Sequence, residues 1–380
     1  MCSVTIASRS SWVQLSGRLW QSELQRHQRS PEGHRPCNRR FLQTAMSASH
    51  VELFVLSGRE APELKELVHL PSGMHLLSTG RPDMELKDWA KSDWDKVQVL
   101  LKCGTGKDAS SKQELQDIWP HLTNLKWIHS ASAGVEKLLF PELVKSSVTV
   151  TNAKGAYSHS LAEWALTACS WFAKDLPRLK RQQKDRRWEP YYVEELRGKT
   201  LGVVGYGDIG QETANVARAF KMNIVALRRR KELSQHDKDL HLKIYTPDKL
   251  NDLMAESDYV VAALPHTDKT EKLISSEAIS HMKKTAVFIN IGRGQTVDED
   301  ALVNALQEKK IRGAGLDVTY TEPLPTDSPL WDLDNVLLSP HCADRTTTFQ
   351  AEAIQQFTEL AKLYIEGKEL FNVVDKKTGY

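Results

Sequence analysis

The segment TLGVVGYGDIG (Thr200–Gly210) constrains the fold of this chain more than any other stretch. An apolar run leads into Gly205, Gly207 and Gly210, and DIGQETANVARAF then continues with helical spacing. A GxGxxG pattern alone is weak evidence, because glycines cluster in many turns. Between a strand and a helix the three glycines serve different ends. One allows a tight turn, one lets the backbone approach a pyrophosphate closely, and one permits close helix–strand packing. The N–H groups and dipole at the helix start attract that pyrophosphate. One helix later, IVALRRR (Ile224–Arg230) puts Arg228 where a pocket for NAD keeps an acid on the ribose 2′-hydroxyl. A guanidinium cannot accept that hydroxyl's proton, but its fork of donors suits a phosphate. The two segments together predict NADP(H) as the preferred cofactor, with Arg228 and Arg229 at the 2′-phosphate and NAD(H) as second choice. The bland alternative is a solvated charge run at a strand end.

The rest of the chain fits this frame. The runs 51–57, 74–79, 97–103, 125–130 and 148–153 have the composition of buried strands, and helical spacing separates them. A second set of six follows at 200–204, 223–227, 258–264, 285–291, 313–318 and 335–340. Short apolar runs alternating with helices predict βαβ units and parallel sheets, and six strands with crossovers make a complete doubly wound unit. Between the sets, SLAEWALTACSWFAKDLPRLKRQQ predicts one long helix, apolar on nearly every side in its first half, and buried between domains or subunits. The tail TFQAEAIQQFTELAKLYIEG predicts one amphipathic helix.

At 380 residues the chain has room for about two domains. Its formal net charge is +2, yet residues 1–50 hold seven Arg, no Lys and two Glu, so the body is net acidic. That distribution argues against nucleic acid as a partner of the body. The leader is rich in Arg and Ser, poor in acids, and lacks a secretory apolar core, which predicts mitochondrial or plastid import. RRFLQTA, near Arg39–Ala45, resembles a processing site. Met46 offers an alternative start that would leave the protein cytoplasmic. No run approaches the ~20 apolar residues of a membrane span. The five cysteines form no CxxC pair and no cluster with ligand spacing, so no metal is expected.

Three further segments each follow a strand, on the side where open α/β sheets place ligands. NIGRG carries Arg293, LDVTYTEPLP carries Asp317 and Glu322, and LLSPHCA carries His341. With GYGDIG, LPHTDKT, INIGRGQTVDEDALVNAL, GAGLDVTYTEPLP and LSPHCA in this order, the chain resembles the D-isomer-specific 2-hydroxyacid dehydrogenases. SASAGVEKLL and TNAKGAYSHSLAEW extend the likeness into the first domain. The resemblance implies a flavodoxin-like substrate domain (46–152 and 345–380), a Rossmann dinucleotide-binding domain (153–344) and a cleft between them, behind a leader (1–45). It also implies a homodimer.

In such a site Arg293 would grip the substrate carboxylate and polarise the carbonyl. His341 would donate the proton as hydride arrives, and Glu322 would orient His341 and favour its protonated form. The chemistry asks for these residue types independently: a planar fork for a carboxylate, an imidazole titrating near neutrality, and a carboxylate beside it. The resemblance further places Ser132, Ala133 and Gly134 at the substrate carboxylate. At the dinucleotide it places Gly205, Gly207, Asp208, Ile209, Gly210, Leu264, Pro265, Thr270, Ile291 and Gly292, with Asp317 accepting from the nicotinamide amide. It departs from the family at Trp164, where most relatives carry histidine, and at Ala343-Asp344, where a glycine is frequent. The expected activity is reduction of a small 2-keto acid such as glyoxylate or hydroxypyruvate. Within the family, a regulated phosphoglycerate dehydrogenase would carry a further domain, and a formate dehydrogenase would replace Glu322. The alternative from another class is a dinucleotide-sensing scaffold resembling the C-terminal-binding-protein corepressors, which keep the same trio.

Overall fold

The computed structural model describes residues 50–82, 86, 88–104, 108–239 and 242–379; the leader, Met46 and the import expectation attached to them lie outside the described residues. Two parallel sheets organise the remainder. The first contains β1 (Val51–Leu56), β2 (Met74–Gly80), β3 (Val99–Lys102), β4 (Trp127–Ser130) and β5 (Thr149–Asn152), in the order β2-β1-β3-β4-β5. This is the flavodoxin-like order. Val99, Leu100 and Leu101 are wholly buried in succession, as a strand covered on both faces requires.

The second sheet contains β6 (Thr200–Val204), β7 (Asn223–Leu227), β8 (Lys243–Tyr245), β9 (Tyr259–Ala262), β10 (Val287–Asn290), β11 (Gly313–Leu316) and β12 (Val336–Leu338). Its order, β12-β11-β10-β9-β6-β7-β8, runs outward in both directions from β6 and β9. That is the doubly wound dinucleotide-binding arrangement, and the reversal opens a crevice beyond the carboxyl ends of β6 and β9.

Two local features differ from the sequence reading. The strand β8 is absent from it, because it is a three-residue edge strand whose Lys243 faces out and pairs with Glu256 at 2.7 Å. Charged, short edge strands carry little apolar signal. The long central helix is two helices, Ser158–Ala173 and Leu176–Lys184. Asp175 adopts a left-handed conformation (φ 47°) between them and caps the second helix by accepting from Arg178 N at 3.3 Å. Pro177 sits in the first turn, where a missing N–H costs nothing.

The Ser158–Ala173 helix buries Leu161, Ala162, Ala165, Leu166, Ala168, Cys169 and Phe172 within this one chain. Trp164, at the departure from the family histidine, packs 3.6 Å from the position a Cβ would take on Gly315 of β11. It therefore fills space against the second sheet. After β12 the chain returns to the first sheet. Phe357 and Tyr364 of the Phe349–Ile365 helix stack on Trp127 of β4 at 5.2 and 5.1 Å between ring centres. The tail then adds Val374 N to Val150 O at 2.8 Å.

Candidate active site

Parallel strands put all their carboxyl ends on one edge, so segments far apart in sequence converge there. Ser132–Gly134 follow β4, the glycine loop follows β6, Arg293 follows β10, Asp317 and Glu322 follow β11, and His341 follows β12. The cleft they border has a volume of about 970 Å³. Ser132, Ala133 and Gly134 line it from the first lobe, and Ile209, Ile291, Arg293, Asp317, Glu322 and His341 from the second.

His341 Nδ1 lies 2.8 Å from Glu322 Oε2, and both side chains are partly buried. The Glu322 bond is the largest influence on the imidazole and outweighs burial, so His341 is held above its ordinary range. Burial pushes the Glu322 carboxyl up, but the His341 bond and charge, Thr319 N and Arg293 together bring it below its usual value. The pair is thus a charged carboxylate and an imidazole that favours its proton, with Nε2 left over for a ligand. The backbone is arranged for this too. His341 stands at φ 51°, and its N–H donates to Asp317 O at 2.8 Å. Asp317 is buried, and its Oδ1 accepts from Ser339 Oγ (2.6 Å), Cys342 N (3.0 Å) and Ala343 N (3.0 Å). Those three bonds tie down the turn that presents His341.

Arg293 donates from Nη1 to Gly292 O at 2.8 Å and from Nε to Glu136 Oε1 of the first lobe at 3.1 Å. Gly134 lies against the same guanidinium: a Cβ there would come within 2.0 Å of Nη2. A side chain at 134 would displace the arginine. The loop itself is anchored by Ser132 N on Ser130 Oγ at 3.3 Å and by Asn152 Nδ2 on Ala133 O.

The crevice beyond β6 fits a dinucleotide. Gly205 has φ 102°, and a Cβ on it would lie 2.7 Å from Ala263 O; one on Gly210 would lie 2.3 Å from Gly205 O. Above Gly207 there is open space, and Gly207 begins the Asp208–Ala219 helix without any side-chain cap. The first N–H groups of that helix are the donors a pyrophosphate needs. Asp208 pairs with Lys154, just past the end of β5, at 3.1 Å. Leu264 and Pro265 follow β9, Gly292 follows β10, and Thr270 Oγ1 donates to Pro265 O at 2.6 Å, closing that loop.

Arg228 sits differently from the sequence expectation of an open fork. Its Nη2 donates to Asp237 Oδ2 at 2.8 Å and to Glu232 O, and its Nε to Arg230 O at 2.8 Å. Asp237 is buried and also accepts from Ser234 N at 2.8 Å. The side chain of Arg228 is the strut of its own loop, and Arg229 and Arg230 are exposed on that loop.

Several cleft residues escape a reading of the sequence: Glu136, Tyr157, His266 and Trp331 all border it, as does Asp344, which the sequence marks only as a departure from the family. Glu136 lies inside a segment that stands out for its glycine, with nothing local to mark its distant partner. Asp344 has its carboxyl raised by burial and then by the charge of Asp317. Cys103 is buried in the first lobe, where burial pushes its thiol up to about 12.

Residues 166–343 match the family model described as D-isomer specific 2-hydroxyacid dehydrogenase, NAD binding domain. The glyoxylate reductase of Thermofilum pendens is 35% identical over 292 residues, spanning 73% of this chain and 81% of that one. The hydroxypyruvate reductase of Thermotoga maritima is 36% identical over 232 residues, 60% of this chain and 73% of that one. Among solved structures, a D-isomer specific 2-hydroxyacid dehydrogenase from Xanthobacter autotrophicus in complex with NADPH superposes with a TM-score of 0.71 at 27% identity, covering 87% of this chain and all of that one.

Proposed function

The chain belongs to the D-isomer-specific 2-hydroxyacid dehydrogenase family, and on that premise we propose that it reduces a small 2-keto acid, glyoxylate or hydroxypyruvate, to the D-2-hydroxy acid with NADPH. The observation that carries this is the meeting of three elements on one cleft: the glycine loop, the Arg293 clamp, and the His341–Glu322 pair. The family's named reductases favour the enzyme over the dinucleotide-sensing scaffold.

The reaction asks three things of the protein. Arg293 and the Ser132–Gly134 loop hold the substrate carboxylate, so that its carbonyl oxygen lies toward His341. A reduced nicotinamide dinucleotide held at Gly205–Gly210 would supply a hydride for the carbonyl carbon. As the C=O double bond opens, negative charge develops on oxygen, and the protonated His341 delivers its Nε2 proton there. Glu322 keeps the imidazolium favoured until that moment. Asp317, with three donors on one oxygen, holds the turn in which this happens.

Support for NADPH over NADH comes from the β7 end. Asp237, the carboxylate that faces Arg228, is neutralised by it, so it does not cancel the positive charge that Arg229 and Arg230 add at this edge for a 2′-phosphate. Assembly as a homodimer is supported by Trp188 and Tyr192, which are 97% and 103% exposed beside half-exposed Val193. Import is supported by the composition of the leader alone; a reporter carrying residues 1–45 that stayed in the cytosol would remove it. A panel of 2-keto acids assayed with each reduced dinucleotide tests the central reading. Turnover of glyoxylate or hydroxypyruvate, faster with NADPH, is expected, and no turnover of any member would refute it.

A further inference from the structure

A guanidinium has five N–H donors. In Arg293, Nε is taken by Glu136 Oε1 at 3.1 Å, and one Nη1 hydrogen goes back to Gly292 O at 2.8 Å. Nη2 lies against the Cα of Gly134, and the same glycine's missing Cβ would also meet Glu136 Oε2 at 2.5 Å. Glu136 therefore covers the side edge of the guanidinium, from Nε toward Nη2, and the carbonyl covers its back. The outer edge, one N–H from each of Nη1 and Nη2, is the fork that remains for a carboxylate.

We propose that Glu136 is the positioning residue of the substrate clamp: it pins the side edge of Arg293 so that the outer fork of the guanidinium faces the cleft. Arginine has four rotatable side-chain bonds, and at 30% exposure this one has room to swing without a partner. Glu136 follows β4 in the first lobe, whereas Arg293 follows β10 in the second. The clamp is therefore aimed only where the two lobes meet, which couples substrate capture to the approach of the lobes. Lys137 borders the cleft beside Glu136 but makes no such link to the arginine. The proposal rests on the reading of the cleft as a keto-acid site.

Misplacing a positioning group by about 1 Å can cost up to a hundredfold. In Glu136→Ala the KM for glyoxylate is expected to rise about tenfold or more, with a smaller fall in kcat. The Ki of oxamate, an unreactive carboxylate analogue, should rise in parallel in the enzyme–NADPH complex, while NADPH affinity stays at the parental level. Glu136→Gln keeps an acceptor for Nε and should recover most of the loss, which a general loss of packing would not permit. Two outcomes overturn the proposal: Glu136→Ala with KM and oxamate Ki within twofold of the parent, or with both tightened. The second would make Glu136 a competitor of the substrate for Arg293. If the parent enzyme reduces no keto acid, the reading of the site fails first; oxamate titrated calorimetrically against parent and Glu136→Ala then still tests the clamp.

Discussion

The ion pair between His341 and Glu322 sets how the reaction should respond to pH. Reduction needs imidazolium, and Glu322 holds the His341 value above its ordinary range, against burial. Activity should therefore persist as pH rises and fall once pH passes that raised value. Glu322→Gln removes the largest cause of the rise and leaves burial, which acts the other way. The alkaline limb should then move to lower pH, toward or below the ordinary value of about 6.5. An unmoved limb in the pH–rate profile would refute this role. His341→Ala should lower kcat by about 10²–10⁴-fold, the usual contribution of a general acid, with NADPH affinity nearly intact. Arg293, Glu322 and His341 are legible in the sequence because each stands just past a strand in a short, typical segment. Glu136 is not, because its partner is 157 positions away and nothing near it in sequence marks the contact. Asp317 reads in sequence as a ligand acceptor, whereas its three backbone and hydroxyl donors emerge only when β11 and β12 lie side by side.

Strands are legible wherever both faces are covered, because a continuous apolar run then has one explanation. The element that resists reading is the segment after β7. Three arginines in a row say only that positive charge gathers there; which of them meets a ligand depends on a loop closed by Ser234 and Asp237. The structure gives Arg228 to that loop. Arg228→Ser should therefore loosen the adenosine end of the site and weaken NADPH and NADH alike. Replacing Arg229 and Arg230 together by Ser should weaken NADPH selectively. A hydrogen bond to a charged group contributes about 1.5–3 kcal/mol, so roughly ten- to a hundredfold should be lost for NADPH and little for NADH. Dissociation constants of both dinucleotides for the two variants decide it. A selective NADPH loss in Arg228→Ser, with none in the double variant, would return the phosphate to Arg228. The broken central helix is hidden for a related reason: Pro177 stands where a helix can begin, so the apolar pattern runs across the break undisturbed.

At the scale of the whole molecule, the alternation of strands and helices is enough to predict two doubly wound lobes, since each crossover is local. Contacts between the lobes, and between copies of the chain, have no such signature. The Ser158–Ala173 helix reads in sequence as buried between domains or subunits; its apolar side is buried within this chain, while Glu163 and Thr167 are exposed and Trp164 and Trp171 are half-buried. Exposed apolar side chains lie just beyond it, where Trp188 and Tyr192 stand in solvent and Val193 follows. Fully exposed aromatics are costly to leave in water and are favoured as anchors at the centre of interfaces. A second copy of the chain is the expected partner for them. Sedimentation at micromolar concentration should give a dimer for the parent. Trp188→Glu with Tyr192→Glu should give a monomer that keeps its fold. In a two-fold dimer each substitution is present in both subunits, so four anchors are lost; at about 2 kcal/mol each the dimer Kd rises roughly a millionfold, which carries a nanomolar dimer to millimolar dissociation and leaves monomer at micromolar concentration. A parent that sediments as a monomer, or a double variant that stays dimeric, would refute this surface as the interface. Because the segment leads directly from the helix pair into β6, a dimer formed here would join the two dinucleotide-binding lobes and leave each first lobe free to open and close over its cleft.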